Sequence, residues 1–134
     1  MSGPDIIRRD ENGAPVAVVE IKNTIRPRDR KFFLRQLGEY VRATGSARYS
    51  ILVDPGEIEI FEGDPADHHS WTLLTQDILA RYDSTFSEHR DMYEGYLSTL
   101  INAWLDDLSY HAARKHLPEE DRLPQGLLDA LRAA

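Results

Sequence analysis

Asn12-Gly13 stands between two extended runs, residues 5–9 and 16–22, and no other dipeptide in the chain limits the fold so strongly. Asn and Gly best tolerate the positive φ that both central positions of a type I′ turn require, so the pair predicts a two-residue hairpin joining those runs. Side chains alternate along the second strand. Val16, Val18, Glu20 and Lys22 fall on one face and Ala17, Val19 and Ile21 on the other. The hairpin carries Asp5, at the head of the first strand, to the end of the second. Asp5, Glu20 and Lys22 therefore converge at one end of a sheet.

Two carboxylates in a half-buried strand rich in Val and Ile are costly, because each loses hydration and repels the other. A divalent cation removes the conflict. Mg²⁺ takes one or two protein carboxylates and keeps waters and phosphate oxygens in its other positions. An adjacent amine can orient the attacking water while the metal stabilises charge on the phosphate. A Glu-x-Lys triplet standing alone reads differently, as an exposed ion pair on an edge strand.

The chain then alternates elements. Residues 28–43 read as a helix stopped by Gly45, and Tyr49 to Asp54 as a buried strand. Asp54-Pro55-Gly56-Glu57 is a turn signal, and Ile58 to Phe61 alternates like a half-solvated strand at a sheet edge. Strand, crossover helix and strand predict an α/β or α+β sandwich. On the helix, Gln36 and Tyr40 are four apart and share a face. Tyr40 also fits a core-facing stripe with Phe33, Leu37, Val41 and Thr44, so its spacing alone supports both placements.

Taken together these residues resemble the PD-(D/E)XK nuclease superfamily, with its restriction-endonuclease-like fold. Pro4-Asp5 is similar to the PD element, Glu20-Ile21-Lys22 to the (D/E)XK element, and Gln36-Leu37-Gly38-Glu39-Tyr40 to the Q-x-x-x-Y signature of the RecB-like branch. The resemblance spans residues 4–62. It implies that Asp5 and Glu20 bind Mg²⁺ (or Mn²⁺) with the Ile21 carbonyl as a third ligand. By the same resemblance Lys22 serves the attacking water, and Gln36 and Tyr40 lie near the site and substrate. Family domains usually carry a helix and a strand before the PD element, whereas only residues 1–4 precede Asp5 here. Three expectations stay open: those elements are absent, a homodimer or partner subunit supplies them, or the sequence is part of a longer protein.

Charge is unevenly spread. The chain has 16 basic and 23 acidic side chains, yet residues 1–53 hold ten basic against six acidic and residues 54–134 six against seventeen. Overall acidity argues against broad phosphate-driven binding. The basic excess peaks at Arg26, Arg28, Arg30, Lys31 and Arg35, beside Gln36, where a nucleic-acid backbone would be positioned without its sequence being read. A solvated helix face is the alternative use of those residues.

Residues 63–134 read as a helical extension packing on the 1–62 core within one structural domain. Thr75 caps a short helix, and Ser87 to Lys115 is one long amphipathic stretch, its apolar face from Tyr93 to Leu108 packing on the sheet or forming a dimer seam. Pro118 and Pro124 bracket an acidic linker, Glu119-Glu120-Asp121, before a final helix with Leu127, Leu128 and Leu131 that docks or frays. His68-His69 in a loop is a weak metal signal, and His111 and His116 have the wrong helical phase for a shared ion. The absence of cysteine excludes disulfides and thiolate metal centres. There is no phosphate-binding G-x-x-x-x-G-K-[ST] loop, and no membrane span or signal peptide is indicated. The expectation is a cytoplasmic, Mg²⁺-dependent nuclease acting on DNA in restriction, repair or defence, with a catalytically inactive or partner-dependent regulatory module as the alternative.

Overall fold

Ile6–Arg9 (β1) and Pro15–Ile21 (β2) pair antiparallel, with Ile6 opposite Val19 and Arg8 opposite Ala17. The computed structural model describes residues 3–65, 70–89, 93–110 and 116–133. The hairpin is as expected, but its turn is not type I′. Only Gly13 takes a positive φ there, +83°. Asp10 Oδ1 accepts from the amides of Asn12 and Ala14, both at 2.9 Å, and Gly13 N–H donates to Asp10 O at 3.0 Å. A three-residue loop with glycine in the left-handed position results, because the Asp10 side chain supplies the turn's acceptor. The ladder shifts between Arg8 and Arg9 to absorb the irregularity.

A 3₁₀ turn at Pro27–Asp29 leads into α1 (Arg30–Ala43). The helix stops as predicted: Gly45 has φ +93°, Ser46 N–H donates to Val41 O (2.9 Å) and Gly45 N–H to Arg42 O (3.3 Å). This is the Schellman arrangement, which satisfies carbonyls left over at a helix end. The chain returns as β3 (Tyr49–Val53), parallel to β2. Asp54 Oδ1 then accepts from the amides of Gly56 and Glu57, each at 2.8 Å, and turns the chain into β4 (Glu57–Glu62).

The sequence reading places β4 at a sheet edge; the structure makes it interior. Ser70–Leu74 (β5), which the sequence reading does not assign to a strand, pairs with it, and the sheet order is β1-β2-β3-β4-β5. Glu59 gave β4 its half-solvated look, yet Glu59 is buried, ion-paired to Arg30 at 2.7 Å and accepting from Ser70 Oγ at 2.9 Å. The molecule is thus a mixed α/β fold, with a five-stranded mixed sheet and four α-helices among the described residues.

Helix α1 covers one face, where Leu37, Tyr40 and Val41 pack on Val18, Leu52 and Phe61. The other face, Ala17, Val19, Ile21, Ile51, Val53, Ile58 and Ile60, lies under α2 (Thr75–Leu79), α3 (Glu94–Ser109) and α4 (Gln125–Arg132). Each fully buried Leu or Ile of that layer contributes roughly 1.5–3 kcal/mol. The apolar stripe of α3 packs on this core, with Trp104 and Leu105 wholly buried. Residues 63–134 therefore supply a strand as well as a helical layer.

Three expectations for that half are corrected. Helix α3 starts at Glu94 rather than Ser87, because Phe86–Glu88 is a separate 3₁₀ turn held by Asp83, whose Oδ1 accepts from Thr85 N–H at 2.9 Å. Tyr110 is extended and ends α3, while residues 111–115 of the predicted stretch lie outside the described residues. Thr75 does not cap α2; its hydroxyl donates to Asp54 O at 2.8 Å. Nor is 119–121 a solvated linker. Glu119 is 1% exposed and receives Arg81 through both oxygens at 2.7 Å and Trp104 Nε1 at 2.8 Å. Arg132 Nη2 donates to Glu120 Oε1 at 2.8 Å, so α4 docks. Among the described residues no helix is long and apolar enough to cross a membrane.

Candidate functional site

Continuing the β1/β2 register by one residue sets Asp5 opposite Glu20. Glu20 sits on the α1-facing side of β2, 4% exposed, with Leu52 of β3 as its neighbour. A carboxyl group in that position has lost most of its water, and it hydrogen-bonds the Asp5 side chain. Burial first, then the Asp5 hydrogen bond and charge, push the Glu20 carboxyl up to about 8, while Lys22 and the Ile21 backbone pull it down. At neutral pH Glu20 therefore keeps its proton and can donate it in the hydrogen bond to Asp5. A cation is the alternative occupant, since it meets the same two oxygens without mutual repulsion.

Asp5 lies just ahead of β1 and is exposed, yet it is held. Its Oδ2 accepts from Ile21 N–H at 2.7 Å. Two further contacts brace β1. Ile6 is buried in the core, and Arg8 reaches α3, donating to Asp106 Oδ1 (2.8 Å), Asn102 O (3.1 Å) and Asn102 Oδ1 (3.0 Å). The strand that presents Asp5 is thereby anchored to the opposite layer.

Tyr40, 6% exposed, brings its hydroxyl from α1 to hydrogen-bond Glu20. Burial and then the Glu20 charge and hydrogen bond raise its pKa above the ordinary phenol value, making it a weaker acid. Tyr40 thus serves both placements that its spacing allowed: the ring packs with Leu37 and Val41, and the hydroxyl reaches the carboxyl pair. Gln36, one turn earlier on that helix face, buries Oε1 without a hydrogen-bond partner. An orphaned acceptor carries a desolvation cost of about 1–3 kcal/mol and calls for a donor from outside the chain.

Lys22 continues the same side of β2. Its amide pairs with Val53 O at 2.9 Å, and its ammonium stands 5.0 Å from the ring centroid of Phe33. Phe33, three residues before Gln36 on α1, reads from sequence only as core; its helical phase is the signal that it faces the site. Beyond Leu52 a cavity of about 270 Å³ opens, walled by Ile25, Pro27 and Arg30 on one side and Asp54, Glu57 and Glu59 on the other.

The basic cluster divides. Arg26 pairs with Asp29 at 3.1 Å and Arg30 with Glu59 at 2.7 Å, so neither is a free cation. Arg28, Lys31 and Arg35 are exposed and form no ion pair among the described residues. The structure therefore joins Asp5, Glu20, Lys22 and Tyr40, with Gln36 on the adjoining turn, and turns Arg30 toward β4.

Two carboxylates are what the site offers a metal; no group of three or more histidine or acidic side chains fit to hold one occurs among the described residues. That pair, hydrogen-bonded and buried on one side, fits an ion such as Mg²⁺ that keeps most of its waters. His68, His69 and His111 lie outside the described residues, and His116 is exposed beside Glu120 and Asp121. No protein-family model, curated protein or solved structure matches this chain.

Proposed function

We propose that this chain is a Mg²⁺-dependent (or Mn²⁺-dependent) nuclease of the PD-(D/E)XK type, hydrolysing DNA phosphodiester bonds on a restriction-endonuclease-like sheet. Restriction, repair or defence is the setting that the resemblance suggests. The observation that carries the reading is the paired carboxyls of Asp5 and Glu20 beside Lys22 and the Tyr40 hydroxyl, at the carboxyl ends of the parallel strands β2 and β3. Ligands of open α/β sheets bind at such strand ends.

Asp5 and Glu20 would hold the metal, with the Ile21 carbonyl as a third ligand. A bound divalent ion supplies positive charge that acidifies coordinated water and draws charge from the phosphate. Lys22 orients the water, and Tyr40 fixes the rotamer of Glu20. Gln36 Oε1 accepts a hydrogen bond from water or substrate. Hydrolysis adds the water oxygen to phosphorus and releases the ester oxygen as an alcohol. Arg28, Lys31 and Arg35 contribute phosphate contacts on the approach to the site.

A second reading, a partner-dependent or catalytically inactive module of the same type, draws on the four-residue edge strand β1 and the exposure of Asp5. Cleavage of circular plasmid and of circular single-stranded DNA by wild type and Lys22→Ala across Mg²⁺ and Mn²⁺ tests the enzyme reading. Metal-dependent nicking by wild type and a loss of about 100-fold or more in Lys22→Ala is expected. Equal activity in both proteins, or none with any divalent ion, rejects it.

A further inference from the structure

Phe32 is 51% exposed on the first turn of α1, so its ring faces solvent. Its ring lies 5.6 Å from that of Phe33, tilted by 45°, and Phe33 in turn lies 5.0 Å beneath the Lys22 ammonium. Two ring contacts thus connect the candidate reaction site to an open aromatic face. Arg28 one turn earlier and Arg35 one turn later flank Phe32, with Lys31 adjacent. Lys31, Arg35 and Arg42 also line a shallow groove of about 370 Å³ together with Leu34 and Asp64.

We propose that Phe32 is a stacking platform for an unpaired nucleobase, making single-stranded nucleic acid the substrate class; this rests on the nuclease reading above. Charge complementarity selects this occupant. A protein partner seated on Phe32 would meet a rim of like-charged cations, which charge-depleted interface cores avoid. A polynucleotide presents phosphates to those cations and a π-face to the ring. In a duplex the bases are stacked inward, so a ring on a helix surface cannot reach them. A strand with unpaired bases can lay one base on Phe32 while a neighbouring phosphate approaches Lys22.

The test measures anisotropy of a fluorescent twelve-nucleotide oligothymidylate, an abasic strand of equal length and a duplex, in EDTA so that hydrolysis is off. Wild type, Phe32→Ala and Phe32→Trp are compared, with thermal melts as the folding control. Wild type binds oligothymidylate more tightly than the abasic strand or duplex. Phe32→Ala loses about 5- to 150-fold on oligothymidylate and nothing on the abasic strand, and Phe32→Trp retains binding. Equal affinity of wild type and Phe32→Ala for oligothymidylate overturns the proposal, as does equal binding of abasic and base-carrying strands. A wild-type dimer that Phe32→Ala dissolves without change in oligonucleotide affinity makes the ring a protein contact and overturns it too. Metal-dependent cleavage is read separately. Phe32-dependent binding without cleavage rejects hydrolysis and keeps the platform; cleavage with Phe32-independent binding rejects the platform alone; neither binding nor cleavage of any strand rejects both.

Discussion

The side chains of Asp5 and Glu20 are hydrogen-bonded to each other, one reaching in from an exposed position ahead of an edge strand and the other buried under α1. Two carboxyls can be so placed only if a proton or a cation lies between them. Occupancy of that pair thereby becomes readable from stability as well as from activity.

In the absence of divalent ions, stability falls as pH rises. Glu20 is raised from 4.5 to about 8 in the fold, so between those values the unfolded chain has released a proton that the native state still holds. The contribution is complete below about 4.5 and is lost as pH passes about 8. Thermal midpoints measured across that window should decline for wild type and stay nearly flat for Glu20→Gln, which becomes the more stable protein at the alkaline end. Mg²⁺ should restore wild type there and leave Glu20→Gln unmoved. A wild-type profile as flat as that of the variant contradicts a Glu20 that keeps its proton at neutral pH.

Arg8 acts on the site from a distance. Its contacts with Asn102 and Asp106 hold β1 against α3, so Arg8→Ala removes side-chain hydrogen bonds worth about 0.5–1.5 kcal/mol each. The expected signature is a modest fall in melting temperature with a several-fold rise in the Mg²⁺ concentration needed for half-maximal cleavage. Unchanged metal dependence would show that Asp5 is positioned without it.

Arg81, Glu119 and Trp104 form a knot that ties a part-exposed guanidinium to the buried core. Burial pushes the Glu119 carboxyl up, but hydrogen bonds from Arg81 and Trp104 outweigh this and hold it below its ordinary value. Glu119→Ala leaves a guanidinium and a buried indole N–H without their acceptor and should cost about 3–5 kcal/mol in urea unfolding. A loss below about 1 kcal/mol would mean that the pair is a solvated one.

Gly126 marks where α4 meets the sheet. A methyl group on Gly126 would overlap Tyr49 Oη, and Tyr49 is only 2% exposed. Gly126→Ala should therefore destabilise by about 1–3 kcal/mol through overpacking. Adding Tyr49→Phe removes the clashing oxygen, so the double variant should recover part of the loss in a mutant cycle. Strict additivity would place the cost in the α4 backbone instead.

The parts of the fold legible in the sequence are those governed by neighbours a few positions apart. Gly45 reads as a helix stop because the left-handed residue it supplies completes two local hydrogen bonds. Alternation along 16–22 puts Glu20 and Lys22 on one side because strand geometry does so wherever a strand forms. Asn12-Gly13 predicts the hairpin, yet the turn type went to Asp10, whose side chain competes for the same amides. Ser70–Leu74 is too short and mixed to read as a strand by itself; pairing with β4 makes it one.

Within the candidate site, residue types and order were in the sequence: Asp5, Glu20, Lys22, and Gln36 and Tyr40 on one helix face. Their environment was not. The burial of Glu20, the pairing of Arg30 with Glu59 rather than with a phosphate, and the exposure of Phe32 depend on what lies opposite across strands and layers. Arg81 and Glu119 are 38 positions apart, and nothing local in either segment announces the other. Periodicity and turn chemistry are short-range and survive in one dimension. Desolvation and ion pairing act through space, so only the packed tertiary structure decides which charges are exposed, which are neutralised and which groups keep a proton.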